Sequence, residues 1–170
     1  SSMSDRQPHQ QFNDLYDEFM VKLKKAIPQE ENLWTLHDAF SAGKKINPRM
    51  PVEMYINSLH LFSDRIFEAD ESFFLTNEAI SNELKQHNSD GTFNTLESIQ
   101  SFWNTGISDK TKKAIWSYLQ NLMILGYLYL GIDVAFDENL LKRVLLTCDK
   151  FRNKEVTDTS VEYLKANFKS

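Results

Sequence analysis

One segment constrains the fold of this chain more than any other: residues 107–132, ISDKTKKAIWSYLQNLMILGYLYLGI. A polar, lysine-bearing opening leads into a long apolar run, whose interior polar residues are Ser117, Gln120 and Asn121. A helix that is apolar around most of its circumference must be covered by other elements. The segment therefore predicts a central helix at about 109–131 that is buried inside a helical bundle.

The apolar run over residues 114–132 is also the chain's candidate for a membrane span. Its two amides lie near its first third, and it is rich in aromatic residues. These features favour burial in a protein core, and we predict no membrane span. The sequence also lacks a charged region followed by a short apolar run, so we see no secretory signal.

Composition favours a helical fold of ordinary domain size. The chain has 170 residues, of which 41% are hydrophobic, and it contains only 5 glycines and 4 prolines. So few breakers leave little room for a turn-rich β fold. We predict an all-α protein, a single globular bundle of seven to eight helices over residues 10–170. Residues 1–9 are expected to form a disordered tail, in which Ser1-Ser2-Met3 resembles a cloning scar before a native Met3.

The apolar periodicity and the breakers also predict where the other helices lie. The expected spans are about 10–27, 30–42, 51–69, a fourth reaching about 86, 94–104, 137–152 and one beginning near 157. Loops are predicted at 43–51, which holds two prolines, and at 87–93, which is rich in turn residues. Trp34, Trp103 and Trp116 are predicted to anchor the core.

Charge and cysteine content argue against several classes of function. The formal net charge is −5, which disfavours general nucleic-acid binding. Cys148 is the single cysteine, so no internal disulfide can form, and no Cys/His pairing suggests zinc. Cys148 lies on an apolar stripe and is expected to be a buried, inert thiol. No cofactor is predicted.

Two groups of residues could carry metal chemistry. His60, Asp64, Glu68 and Glu71 share one flank of a predicted helix but extend over roughly 16 Å, too far for one ion, so a solvent-facing acidic side is favoured. The dipeptide His37-Asp38 resembles the paired ligands of metal-dependent phosphohydrolases, which also need an upstream His and a further Asp. A hydrolase that uses these two residues with Asp64 is therefore an alternative hypothesis.

Basic residues gather around the predicted helix at 137–152, and they are the candidate binding residues of the chain: Lys142, Arg143, Lys150 and Arg152. Phe151 could add a stacking surface for a nucleic-acid base. The interspersed Asp149 and Glu155, together with the acidic balance of the chain, favour ordinary solvated charge. A nucleic-acid accessory protein remains a second alternative.

One stretch, FNTLESIQSFWNTGISDKTKKAIWSYLQNLMILG at 93–126, resembles a segment of uncharacterised helical proteins from nucleocytoplasmic large DNA viruses of algae and amoebae. The resemblance implies a viral origin and an intracellular setting, in the host cytoplasm or a viral factory, and it carries over no site. The elements that match are Trp103-Asn104, Ile107-Ser108-Asp109-Lys110-Thr111 and Ile115-Trp116-Ser117-Tyr118-Leu119-Gln120.

The leading hypothesis from sequence is a non-enzymatic interaction or adaptor protein with a viral or host protein partner. Abundant aromatic residues, without a convergent set of polar residues, motivate it. The metal-assisted hydrolase and the nucleic-acid accessory protein remain as alternatives, and the sequence does not indicate an oligomeric state.

Overall fold

The computed structural model describes residues 6–76, Ile80 and residues 91–169. All regular secondary structure in these ranges is helical, which confirms the predicted all-α fold. A short 3-10 turn, His60–Phe62, joins α3 to α4. The α-helices are α1 Pro8–Ala26, α2 Asn32–Ile46, α3 Met50–Leu59, α4 Ser63–Phe67, α5 Ser72–Leu75, α6 Gly91–Phe102, α7 Asp109–Tyr129, α8 Glu138–Arg152 and α9 Val161–Phe168.

The helix α7 lies at the centre of the bundle, as predicted, and it is buried on one side while Lys113, Ser117 and Asn121 are exposed on the other. It begins after Ser108, whose hydroxyl accepts a hydrogen bond from the backbone N–H of Thr111 at 3.2 Å. Its buried side packs against α1, α3 and α4. Across the α3 contact, the Tyr55 hydroxyl donates to the carbonyl of Leu119 at 2.7 Å. None of the helices in the described ranges combines the length and apolarity that a membrane span requires.

The two amides that interrupt the apolar run have separate structural explanations. Gln120 Nε2 donates to the carbonyl of Ile66 at 3.0 Å, so it satisfies an acceptor near the carboxyl end of α4. Asn121 is exposed and donates to the carbonyl of Ser117 at 2.8 Å, on the outer face of its own helix. Neither amide is an unpaired polar group in the core.

Two of the three tryptophans anchor the core as predicted, and the third does not. Trp103 and Trp116 are buried and lie 5.7 Å apart between ring centroids, with Phe74 stacked on Trp103 at 4.4 Å. Trp34 is 43% exposed, so its predicted burial is wrong. Leu33 and His37 carry the buried side of α2, and the ring of Trp34 instead contacts the Lys24 ammonium.

The predicted loop at 43–51 is wrong over its first part, because α2 continues through Gly43 to Ile46. Gly43 does not end the helix; a Cβ there would lie 2.5 Å from Met50 Cε, which is the flexible end of a side chain on α3. The helix ends at Asn47, which is extended because Pro48 follows it.

Other boundaries differ for local reasons. The predicted helix at 51–69 is divided by the 3-10 turn. The last helix begins at Val161 rather than near 157, because Ser160 is the residue that caps it. The predicted fourth helix beyond Thr76 and the turn at 87–90 lie outside the described residues, and 91–93 belong to α6.

Candidate functional site

The three residues of the hydrolase hypothesis, His37, Asp38 and Asp64, have different local environments. His37 is buried, and its Nε2 lies 2.7 Å from Asp17 Oδ1, where it ties α2 to α1. Its neighbour Asp38 is exposed, and Asp64 pairs with Arg152. In the described parts of the chain, no group of three or more His, Cys, Asp or Glu residues is placed to hold a metal ion. The hypothesised constellation is therefore not assembled by this fold.

His60 does not lie on a solvent-facing flank, so that expectation is wrong. It is 2% exposed, because it begins the 3-10 turn and faces the last turn of α8, where the Phe151 ring packs against it edge to face. Its Nε2 lies 2.6 Å from the carbonyl of Thr159, which fixes Nε2 as the protonated nitrogen. Burial lowers the pKa of His60 to about 4, and its buried Nδ1 has no hydrogen-bond partner.

Arg152 is part of a structural ion pair and is not an available binding residue. Its guanidinium donates to both carboxylate oxygens of Asp64, at 2.7 and 2.6 Å, and to the carbonyl of Leu61 at 2.6 Å. A third acceptor is Asp149, at 2.7 Å. These hydrogen bonds, above all those with Asp64, raise the pKa of Arg152 above its usual range. The guanidinium that the sequence suggested for partner binding is therefore occupied by acceptors within the chain.

Cys148 is buried, as predicted, and lies in a chain of hydrogen bonds. The Tyr127 hydroxyl donates to Ser63 Oγ at 2.9 Å, and Ser63 Oγ lies 3.1 Å from the Cys148 sulfur. The thiol then donates to the carbonyl of His60 at 3.4 Å. Burial raises the pKa of Cys148, which keeps it a neutral thiol. This network stabilises the packing of α8 against α4 and the 3-10 turn.

The other three residues of the predicted basic cluster lie on the outer face of α8 around an exposed leucine. Leu146 is 69% exposed. Lys142, Arg143 and Lys150 are also exposed and lie four residues before, three before and four after it, which places all three beside its side chain. We call these four residues the α8 surface.

One member of the α8 surface also contacts the body of the protein. The Arg143 guanidinium lies over the ring of Phe168 at 5.3 Å, in a cation–π contact with α9. Phe136, which is 92% exposed, directly precedes Asp137, the N-cap residue of α8. The outer side of α8 therefore combines positive charge with exposed apolar side chains.

Sequence reasoning identified the three cations but missed Leu146. The buried side of α8 is carried by Leu140, Val144, Cys148 and Phe151, at helical spacing. Leu146 falls between these positions, on the opposite side of the helix. The exposure of Leu146 could have been predicted from this position off the buried stripe of the helix.

A second surface depression lies between α2, α3 and α6. It consists of two adjoining cavities of about 580 and 210 Å³, which share Met50 and Met54. Apolar side chains line the smaller part, and the larger part also has polar lining residues. Its charged lining residue Glu53 accepts a hydrogen bond from the Tyr129 hydroxyl at 2.7 Å. The charges of this depression do not indicate an occupant, whereas those of the α8 surface do.

The α8 surface offers apolar contact together with three positive charges, and the neighbouring Asp149 is paired with Arg152, so it can recognise a partner without any reactive group. No protein-family model matches the chain, and no curated protein or solved structure matches it significantly. The function of the chain is therefore inferred from its own residues and geometry.

Proposed function

We propose that this chain is a non-enzymatic interaction protein that binds an acidic, amphipathic segment of a partner protein on the α8 surface. The observation that carries the proposal is Leu146, which is 69% exposed and surrounded by Lys142, Arg143 and Lys150. An exposed apolar anchor flanked by three cations complements a helix or strand that carries aliphatic residues between acidic ones.

Leu146 and its cations would contribute to binding in different ways. Full burial of a leucine side chain is worth about 1.5–3 kcal/mol, and Leu146 still has most of its surface to bury. An exposed ion pair is worth about 0.2–1 kcal/mol. Leu146 would therefore contribute about as much affinity as the three cations together, and the cations would also orient the partner and speed its association.

Three features favour a protein partner over nucleic acid. Arg152 forms an ion pair with Asp64 and does not add a free charge to the basic cluster. The exposed Asp149 lies among the remaining cations. Phe151, the candidate stacking residue, is 3% exposed and cannot receive a base. The net charge of −5 also opposes a polyanion that needs many phosphate contacts.

Two further observations support an interaction protein. His37 and Asp64 are paired with Asp17 and Arg152, which supports a non-enzymatic protein over the hydrolase alternative. The resemblance of 93–126 to large-DNA-virus proteins supports an intracellular setting, with a viral or host protein as the partner.

Selection from a random peptide library would test the proposal without assuming a partner. The wild-type protein is the target, and the Leu146→Asp variant is used for counter-selection. Lys113→Glu is the matched control, because Lys113 is exposed on α7 and lies outside the α8 surface. We expect selected peptides to be rich in Asp, Glu and aliphatic residues, to bind Lys113→Glu normally, and to bind Leu146→Asp poorly.

The same three proteins are then mixed with a labelled single-stranded DNA. Weak binding that does not depend on Leu146 agrees with the proposal. Tight DNA binding that falls steeply with salt, and that is lost in a fourth protein, Lys142→Glu, would favour the nucleic-acid alternative. Selected peptides that are basic, or that bind Leu146→Asp as well as wild type, would refute the proposal.

A further inference from the structure

A separate cavity, of about 360 Å³, lies where the first turn of α1 meets the ends of α7 and α9. Three cations line it: Arg49, Lys165 and Lys169. In the parts of the chain that the structure describes, none of the three side chains makes an ion pair. Their positive charges therefore converge on this cavity, beside one carboxylate, because Glu53 accepts a hydrogen bond at 2.7 Å from the hydroxyl of Tyr129 in the cavity wall.

The backbone around the cavity places Lys169 at its edge. Gly131 follows α7 with a φ of +82°, in the left-handed region that favours glycine. A Cβ at Gly131 would lie 3.1 Å from Lys169 Cε, so the missing side chain lets the lysine stem pass over the end of α7. Lys165 lies one helical turn earlier on α9 and is half-buried.

His9 is the buried polar group in the cavity wall. It is 9% exposed and packs edge to face on Tyr129, with ring centroids 6.4 Å apart. Among the described residues, its ring nitrogens have no hydrogen-bond partner. Burial and the nearby charge of Arg49 lower the pKa of His9, so the ring is neutral at pH 7 and keeps one N–H donor.

The helix ends around the cavity do not cancel its positive charge. The carboxyl ends of α7 and α9 each contribute a partial charge of about −0.5, and the amino end of α1 contributes about +0.5. Against these stand the three full charges of Arg49, Lys165 and Lys169. With the negative charge of Glu53 included, the balance is roughly +1.5, which favours an anion.

We propose that this cavity binds the phosphate group of a small phosphomonoester, with Arg49, Lys165 and Lys169 supplying charge and His9 a hydrogen bond. Guanidinium and ammonium groups are the usual partners of phosphate oxygens. The volume of about 360 Å³ lies in the range of small-molecule sites, which favours an organic phosphate over the bare ion. This inference is independent of the α8 surface.

The test is a titration of the full chain followed by NMR of the backbone amides and histidine rings. The probes are ribose 5-phosphate and inorganic phosphate, with ribose and with sodium chloride at matched ionic strength as controls. We expect both phosphates to cause saturable shifts at His9, Tyr129 and Gly131, with ribose 5-phosphate binding more tightly. The two control solutes should leave these signals in place.

The variants Arg49→Gln and Lys165→Gln should each weaken phosphate binding by about tenfold, as expected for the loss of one charge-assisted hydrogen bond. Lys45→Gln is the matched control, since Lys45 is exposed on α2 and does not line the cavity. Unchanged amide signals elsewhere establish that each variant is folded. The proposal is overturned if sodium chloride reproduces the shifts, or if the phosphates bind both cavity variants as tightly as wild type.

Discussion

Protonation of His60 should make the stability of this protein fall as the pH is lowered below neutrality. The ring is 2% exposed, its Nε2–H donates to the Thr159 carbonyl, and its Nδ1 is buried without a partner. A second proton on Nδ1 would therefore place an unpaired charge inside the fold. The informative change is His60→Gln, because a glutamine amide can still donate to Thr159 but does not titrate.

The size of the effect follows from the difference between the pKa values of the unfolded and folded states, 6.5 and about 4. The folded pKa is the lower one, so the unfolded chain binds more protons between these values and stability is lost as the pH falls through that window. The contribution of His60 is complete above pH 6.5. The loss relative to pH 7 is about 2 kcal/mol at pH 5 and about 3 kcal/mol below pH 4.

Urea unfolding of the wild type and His60→Gln at a series of pH values from 7 to 4 measures this contribution. Other groups titrate in both proteins, so the relevant quantity is the difference between the two unfolding free energies at each pH. We expect that difference to change in favour of the glutamine variant by about 2 kcal/mol between pH 7 and pH 5. A constant difference across this range would show that His60 is not held neutral in the fold.

Three further predictions concern stability, and urea unfolding at pH 7 measures each one. Asp64→Asn should lower the free energy of unfolding by about 2–3 kcal/mol. This loss is below the range for a fully buried ion pair, because Arg152 keeps its other acceptors. An unchanged free energy of unfolding would contradict the ion-pair geometry. Gly126→Ala should destabilise the protein, because the new Cβ would lie 3.2 Å from a buried isoleucine of α3. Gly43→Ala should be neutral or stabilising by up to about 1 kcal/mol, because its Cβ meets only the flexible end of a methionine. A larger loss of stability at Gly43 than at Gly126 would contradict the packing. Trp103→Ala should cost about 3–5 kcal/mol and Trp34→Ala less than about 1 kcal/mol, and equal losses would contradict their different burial.

Local pattern was enough to predict the helices that carry a clear apolar stripe. The run at 107–132 indicated α7 because its apolar residues surround the helix, and Ser108 was a suitable cap. The same reasoning failed at Gly43, where the sequence reads as a helix end. The glycine instead lies inside α2, beside the flexible end of Met50 on the next helix, and no local signal records that contact.

The candidate site depended on contacts between residues that are far apart in sequence. Arg152 and Asp64 are separated by 88 residues, so sequence could show two surface charges but not the ion pair that removes both from binding. His60 was misplaced because a 3-10 turn interrupts the helical spacing on which its predicted face depended. Leu146 was predictable in principle, since it lies off the buried stripe of α8.

The most direct test of the proposed function is the affinity of an acidic peptide, selected on the wild-type protein, for Leu146→Asp and for Lys113→Glu by fluorescence anisotropy. Loss of the apolar anchor and introduction of a like charge should weaken binding to Leu146→Asp by at least about tenfold, equivalent to about 1.4 kcal/mol. Lys113→Glu should bind as the wild type does. Equal affinity for the wild type and Leu146→Asp would contradict the assignment of the α8 surface as the binding site.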